Sequence, residues 1–172
     1  MRKIVASLFM SLDGVVEAPE NWHLAHADDE LAASVGLQMA AADTLLLGRA
    51  TYQELGDHWF ADYVNATPKV VVSTSLVDVD CTDSSLLDGD VTEAVTALKR
   101  RPGRGIGVTG SPTLVESLIR RDLLDELRLL VHPVVVGSGR RLFEHVSGQR
   151  SLTLAASHAF ATGVLDLTYR PR

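Results

Sequence analysis

The sequence predicts a three-layer α/β domain: a mostly parallel mixed sheet with antiparallel C-terminal strands, covered by helices on both faces. Three observations predict it. Near-continuous apolar runs such as Ile4–Met10 and Lys69–Ser73 read as strands buried on both faces. Segments with helical spacing of apolar residues alternate with those runs through most of the chain. Two further extended runs, Ser151–Phe160 and Val164–Tyr169, flank Ala161-Thr162-Gly163, a hairpin signal. At 172 residues the chain is long enough for a full core and is expected to be one domain, residues 1–172.

Taken in order, Ile4–Met10 is a central strand because so little of it is polar, and Asp13-Gly14 turns the chain after it. Val15-Val16 briefly resumes extended structure, and Glu17–His26 reads as a loop. Asp28, Asp29 and Glu30 suit the positive end of a helix that runs through Leu31, Val35 and Met39 to about Ala42. Thr44–Leu47 is a buried strand ended by Gly48, and Arg49–Leu55 is a short helix. His58-Trp59-Phe60 falls in a loop. Lys69–Ser73 is the next strand, and Cys81–Gly89 is a loop with room for a short edge strand. Val91–Arg100 is a helix with Val91, Val95 and Leu98 on one face, stopped by Pro102-Gly103. Ile106 and Val108 lead into Gly110. Ser111 is placed as the N-cap of a helix with Pro112 at its first position and Leu114, Val115, Leu118 and Ile119 at helical spacing. Leu127–Val131 is one more apolar strand before the hairpin.

Composition narrows the function. A net charge of −6 argues against nucleic acid or a membrane surface as partner. A single cysteine, Cys81, excludes a disulfide framework and a cysteine-based zinc site, and the six histidines lack ligand spacing, so no metal is expected. The Met1–Phe9 run is too short for a signal peptide, no apolar run is long enough for a bilayer, and a cytoplasmic protein is expected.

In sheets of this kind ligands sit beyond the C-terminal ends of the strands. Gly110-Ser111 and Gly48-Arg49-Ala50-Thr51 both put a glycine between a strand and a helix, a geometry that suits phosphate. Arg49 adds a fork of donors and Thr51 a hydroxyl. Two such turns suggest a ligand with well-separated phosphates, such as a dinucleotide. Ser73-Thr74-Ser75 adds hydroxyls for a further phosphate or a ribose, or simply caps a turn. Gly105, Gly107 and Gly110 spell G-x-G-x-x-G, but the pattern lies inside a strand and lacks the acid at the end of the next one, so it reads as accidental. Asp13, after the first strand, is the candidate catalytic carboxylate, with a turn role as its alternative. Trp22 and His58-Trp59-Phe60 could wall a slot for a flat ring, or cap the core. His132 reads as structural or as a neighbour of the reacting ring. Arg140-Arg141 is a solvated pair or a phosphate contact.

These residues carry a family resemblance. Ser11-Leu12-Asp13-Gly14, Leu47-Gly48-Arg49-Ala50-Thr51-Tyr52, Val71-Val72-Ser73-Thr74 and Gly110-Ser111-Pro112-Thr113-Leu114 occur in the order seen in the dihydrofolate reductase superfamily. The run Leu124-Asp125-Glu126-Leu127, His132-Pro133, Gly137-Ser138-Gly139, Leu142-Phe143 resembles the reductase domain at the C-terminus of bacterial riboflavin-biosynthesis deaminase-reductases, here in stand-alone form. The resemblance covers nearly the whole chain. It implies NADPH as cofactor and hydride transfer to a small pterin-like, ribosylaminopyrimidine-like or carbonyl substrate. It places the cofactor phosphates at Gly48, Arg49 and Thr51, the adenosine 2′-phosphate near Ser73 and Thr74, and the pyrophosphate on Gly110, Ser111, Pro112, Thr113 and Leu114. Asp13 would face the nicotinamide, with Trp22 and Asp28 as substrate contacts. It also implies a homodimer. The chain departs from dihydrofolate reductases at Ser111, where they have a second glycine after a cis peptide. It departs again at Ala27, the position of their substrate-binding acid, with Asp28 one residue on. One cysteine cannot supply a deaminase zinc site. A nucleotide-binding module without chemistry is the rival reading.

Overall fold

The computed structural model describes residues 1–54, 61–73, 75–76, 78–79, 83–87 and 89–172. Its strands are β1 (Ile4–Ser11), β2 (Ala42–Gly48), β3 (Lys69–Val72), β4 (Ser84–Leu86), β5 (Gly105–Thr109), β6 (Glu126–His132), β7 (Leu152–Ala159) and β8 (Leu165–Pro171). Its α-helices are α1 (Asp29–Ala41), α2 (Arg49–Gln53), α3 (Ala61–Ala66), α4 (Val91–Arg100) and α5 (Pro112–Arg120). The strands form one sheet in the order β4-β3-β2-β5-β1-β6-β8-β7. The six from β4 to β6 are parallel, and β8 and β7 follow antiparallel.

Alternation along each strand builds the two outer layers. Ile4, Ala6 and Leu8 of β1, Leu46 of β2, Ile106 and Val108 of β5 and Leu127 of β6 face one way. Val95 and Leu98 of α4 and Leu114, Val115 and Leu118 of α5 cover them. Leu45, Leu47 and Val71 face the other way, against Tyr52 of α2 and Val64 of α3. Leu130 of β6 packs on that second side with Leu31 of α1, Phe160 and Val164. Each fully buried aliphatic side chain contributes about 1.5–3 kcal/mol, so the double-sided burial of β2 and β6, with the buried face of β1 between β5 and β6, fixes the register of the central strands.

The three-layer expectation holds, and several elements differ in detail. The six residues of α3 form a helix that periodicity did not reveal, because six residues show barely more than one turn of pattern. The loop Glu17–His26 contains two short 3₁₀ turns, Pro19–Asn21 and Leu24–His26. β4 is the expected short edge strand and pairs with β3 in parallel. Val15 forms an isolated antiparallel bridge with Arg141. The described peptide bonds are all trans. Leu55, His58-Trp59-Phe60, Thr74 and Cys81 lie outside the described residues. No helix is long and apolar enough to cross a membrane among the described residues.

Candidate active site

Gly48 ends β2 and Gly110 follows β5, its neighbour in the sheet. Adjacency brings the two glycine turns into contact. A Cβ built on Gly48 would lie 2.2 Å from Ser111 Oγ, and one on Gly110 would lie 3.2 Å from Thr51 Cγ2. The two turns that suggested a ligand with well-separated phosphates thus form one corner. Ser111 departs from its expected role. It holds the N-cap position at φ +58, but its side chain makes no capping hydrogen bond, and its hydroxyl occupies the space that Gly48 leaves open. Arg49 is exposed at this corner and makes no hydrogen bond or ion pair among the described residues. Thr113 is exposed, whereas the Leu114 side chain is buried in the core and its N–H donates to the Ser111 carbonyl at 3.0 Å. Ser73 Oγ accepts hydrogen bonds from the backbone of Ser75 (3.1 Å) and Leu76 (3.0 Å), which ties it to the turn after β3.

From this corner a cavity of about 680 Å³ runs across β5 and β1 toward α1. Thr51, Gly110, Ser111 and Pro112 line one end, and Val35, Gln38, Met39 and Leu130 line the other. Gly105 and Gly107 line the floor between them. A Cβ on Gly107 would touch Ala42 and Leu45 at 3.3 Å, so these glycines keep the floor low. Their spelling of a dinucleotide fingerprint is incidental to that role. Tyr63 lines the cavity as well, and its hydroxyl donates to the Met39 carbonyl at 3.1 Å. Burial pushes its pKa up.

Asp13 stands outside the cavity lining. Its carboxylate accepts from Ser11 Oγ (2.7 Å), Val136 N (3.0 Å) and Gly137 N (2.9 Å), and Arg141 approaches to 3.6 Å. These bonds, with that to Ser11 first, lower its pKa to about 2. Around it the loop after β1 and the loop after β6 are clasped together. Arg141 Nε donates to the Asp13 carbonyl at 3.0 Å, and Glu17 Oε2 accepts from Arg140 N at 3.0 Å. Gly139, at φ +118, allows Val15 to pack against this clasp. Arg140 borders the cavity beside Glu17.

Trp22 and Asp28 are also absent from the cavity lining. Trp22 Nε1 donates to the Glu17 carbonyl at 3.2 Å, and its ring meets the His132 ring edge-on at 5.4 Å. Asp28 Oδ1 accepts from Leu31 N at 2.8 Å and caps α1. His132 is fully buried, with Nδ1–H on the Leu130 carbonyl at 2.9 Å. Phe9, His23 and His26 pack around its ring. Burial lowers its pKa, so the ring is neutral at pH 7. Among the described residues no group of acids, histidines or cysteines is arranged for a metal ion.

Sequence reasoning missed Gln38 and its supports. Arg128 of β6 reaches Asp166 of β8, Ser34 and Gln38 of α1 at once. The signal was a charge inside each of two apolar strands, since a charge so placed is paired.

Comparison with known proteins agrees with the geometry. The Bacillus subtilis (strain 168) protein YyaP is 28% identical over 98% of this chain and 94% of its own. A Shewanella sp. PV-4 protein named for riboflavin biosynthesis superposes with a TM-score of 0.78 at 19% identity, covering 99% of both chains. Dihydrofolate reductase from Enterococcus faecalis, solved with NADP(H), superposes with a TM-score of 0.66 at 17% identity, over 99% of this chain and 96% of that one. The sheet order, the double-sided core and a match of residues 2–165 to the RibD C-terminal domain lead to one conclusion: the chain belongs to the RibD C-terminal domain family and has a dihydrofolate reductase-like fold.

Proposed function

We propose that this protein is an NADPH-dependent reductase acting on a small heterocyclic or carbonyl compound. The observation that carries this reading is the continuity of the cavity. It begins at Ala50, Thr51, Gly110 and Ser111, next to Gly48 and Arg49, which stand just outside its lining, and ends at the apolar wall of Val35, Met39 and Leu130. Helix N-termini and exposed guanidinium groups hold phosphates, and a flat apolar slot holds a ring. The residues present fit a dinucleotide. α5 offers the Thr113 N–H at its start, since Pro112 has none and the Leu114 N–H donates to the Ser111 carbonyl at 3.0 Å; Arg49 is exposed, and the glycines leave room for a backbone approach. Membership of the RibD C-terminal domain family supports a reductase-type function, and the Enterococcus faecalis relative in fold is a reductase solved with NADP(H).

When bound, the nicotinamide supplies a hydride to an unsaturated C=N or C=O carbon. The chain's own groups position and shield. Arg49 and Thr51 hold phosphate, Gly105 and Gly107 let a ring lie close to β5, and Val35, Met39 and Leu130 exclude water. Asp13 is ionised at neutral pH and outside the cavity, so we assign it to holding the loop after β6, with water as the proton source. Asp28 belongs to the cap of α1.

Specificity for NADPH is assigned to Arg49, with Ser73 after the neighbouring strand end; Thr74, the next residue in the sequence, lies outside the described residues. Neither position offers an acid for the free ribose of NADH. A charge-assisted hydrogen bond is worth about 1.5–3 kcal/mol, and tenfold in affinity needs only about 1.4 kcal/mol. Calorimetric titration is expected to show NADPH bound at least tenfold more tightly than NADH, and Arg49→Ala is expected to remove most of that preference. Equal wild-type affinities overturn the assignment of Arg49. Equal losses for both cofactors in the mutant move Arg49 to the shared pyrophosphate. Turnover is tested by NADPH absorbance with pterins, pyrimidines and quinones. Tight NADPH binding with no oxidation by any acceptor sinks the reductase reading.

A further inference from the structure

Arg128 occupies the middle of β6, paired in register with Ser7 of β1 and Thr168 of β8. Its guanidinium is nearly enclosed, with 13% of the side chain exposed, and so is the carboxylate of Asp166. The pair is bidentate, with Nε on Asp166 Oδ1 at 2.7 Å and Nη2 on Oδ2. Such a fork is rigid. The remaining donors turn to α1, where Nη2 reaches Ser34 Oγ at 2.7 Å and Nη1 reaches Gln38 Oε1. Ser34 and Gln38 are four apart and lie one above the other on the helix.

Arginine has five donors and no acceptor. The atom of Gln38 that meets it must therefore be the carbonyl oxygen. This fixes the other half of the amide. Its NH₂ points away from Arg128, Gln38 lines the cavity, and no acceptor among the described residues takes those hydrogens. At the α1 end, the surrounding lining side chains Val5, Val35, Met39 and Leu130 are apolar, and Ser7, in register with Arg128, adds one hydroxyl. Tyr63 has committed its hydroxyl hydrogen to the Met39 carbonyl. The wall thus shows the Gln38 donors and the Ser7 hydroxyl in a surround of hydrocarbon.

We propose that Gln38 is a specificity-determining residue whose amide N–H donates to a carbonyl oxygen or an unprotonated ring nitrogen of the substrate, with Arg128 and Asp166 locking it in that sense. The proposal rests on the reductase reading for its substrate, but its recognition chemistry stands apart from turnover. A neutral flat ring with an in-plane acceptor is selected. A ring that places a hydrogen or a methyl group there leaves the donors unpaired in an apolar wall, a strong rejection.

The test uses Gln38→Glu and Gln38→Leu. Glutamate keeps an oxygen on Arg128, so the fold is retained, but it shows the cavity an acceptor in place of donors. Leucine removes the polar group. Binding is measured by NMR titration without cofactor at pH 7, with isoquinoline, lumazine, pterin and 1,4-naphthoquinone as probes and N-methylisoquinolinium as the blocked control. The wild type is expected to bind at least one neutral probe saturably and at least tenfold more tightly than either variant does. Gln38→Glu is expected to reverse the order and prefer the N-methyl cation. Equal affinities in the three folded proteins overturn the proposal, and so does the absence of saturable binding by every neutral probe to the wild type. Binding that depends on Gln38, together with no NADPH oxidation, would sink the reductase reading and leave the role of Gln38 in place.

Discussion

Gly48 shows how a single residue is constrained by space alone. Its φ is −80°, which any residue tolerates, but a methyl group there would lie 2.2 Å from Ser111 Oγ. Gly48→Ala is expected to destabilise by roughly 1–3 kcal/mol, the usual cost of overpacking. Gly48→Ala/Ser111→Gly should recover most of that loss, because it removes the atom in the way. Denaturant unfolding of both proteins decides it, and a double mutant no more stable than the single one refutes the contact. The importance of Gly48 was legible in the sequence, but its reason was not. A glycine between strand and helix suggested phosphate, whereas the neighbour that demands it is sixty-three residues away in the chain. Asp13 is the reverse case, since its turn role and its candidate chemistry both came from the tetrapeptide Ser11-Leu12-Asp13-Gly14. Its pKa is lowered from 3.8 to about 2. A depressed carboxylate pKa stabilises the fold above the unfolded value, and this contribution is lost as pH falls from about 4 to about 2. Asp13→Asn should therefore be less thermostable than wild type at pH 7. The gap should narrow between pH 4 and pH 2, and a gap of constant size would show that the bonds to Val136 and Gly137 do not depend on charge.

Elements with their own local signals were the most legible. α4 matches its sequence boundaries because Asp90 accepts from Thr92 N and Glu93 N at its start, and Val95 and Leu98 share its buried face. β1 and β3 were legible as near-continuous apolar runs. β2 begins earlier than expected, at Ala42, because the Arg2–Asp43 ion pair and the Ala42–Gly105 pairing extend the strand past the polar residue that seemed to precede it. Both are long-range contacts that no local pattern encodes. α1 tests whether its first acid serves structure or substrate. Asp28 caps the helix, and loss of such a cap costs about 0.5–2 kcal/mol. Asp28→Ala should lose stability in that range, while Asp28→Asn, which caps equally well, should be close to wild type. If Asp28 only caps, the Asn variant also keeps kcat/KM within about twofold, since a surface substitution away from the reacting groups changes little. A tenfold fall in kcat/KM with stability unchanged would restore Asp28 as a substrate contact.

The whole molecule was legible as a class but not as an arrangement. Alternating helices and buried strands implied the layers, yet the strand order decides that β2 and β5 lie side by side and that their turns merge into one corner. The order also leaves β7 at the end of the sheet, with β8 as its one neighbour among the described residues. Register puts Leu154 opposite Tyr169 and Ala159 opposite Leu165, so these four share a face with Leu152 and Leu167. That face continues the side of the sheet covered by α4 and α5, because Leu152, Leu167 and Tyr169 reach the same core. Leu154 is 50% exposed and Leu165 39%. β7 carries no lysine and no proline, the residues with which edge strands block pairing. A long apolar edge left in this state invites a second copy, and a two-fold axis lets the same strip cover itself. Light scattering at micromolar concentration is expected to give twice the 18.6 kDa chain mass. Leu154→Glu places a charge in the centre of the strip and is expected to yield a monomer with NADPH affinity unchanged, since the cavity lies across β5 and β1. A wild-type monomer refutes pairing. A dimer that survives Leu154→Glu moves the interface to another surface.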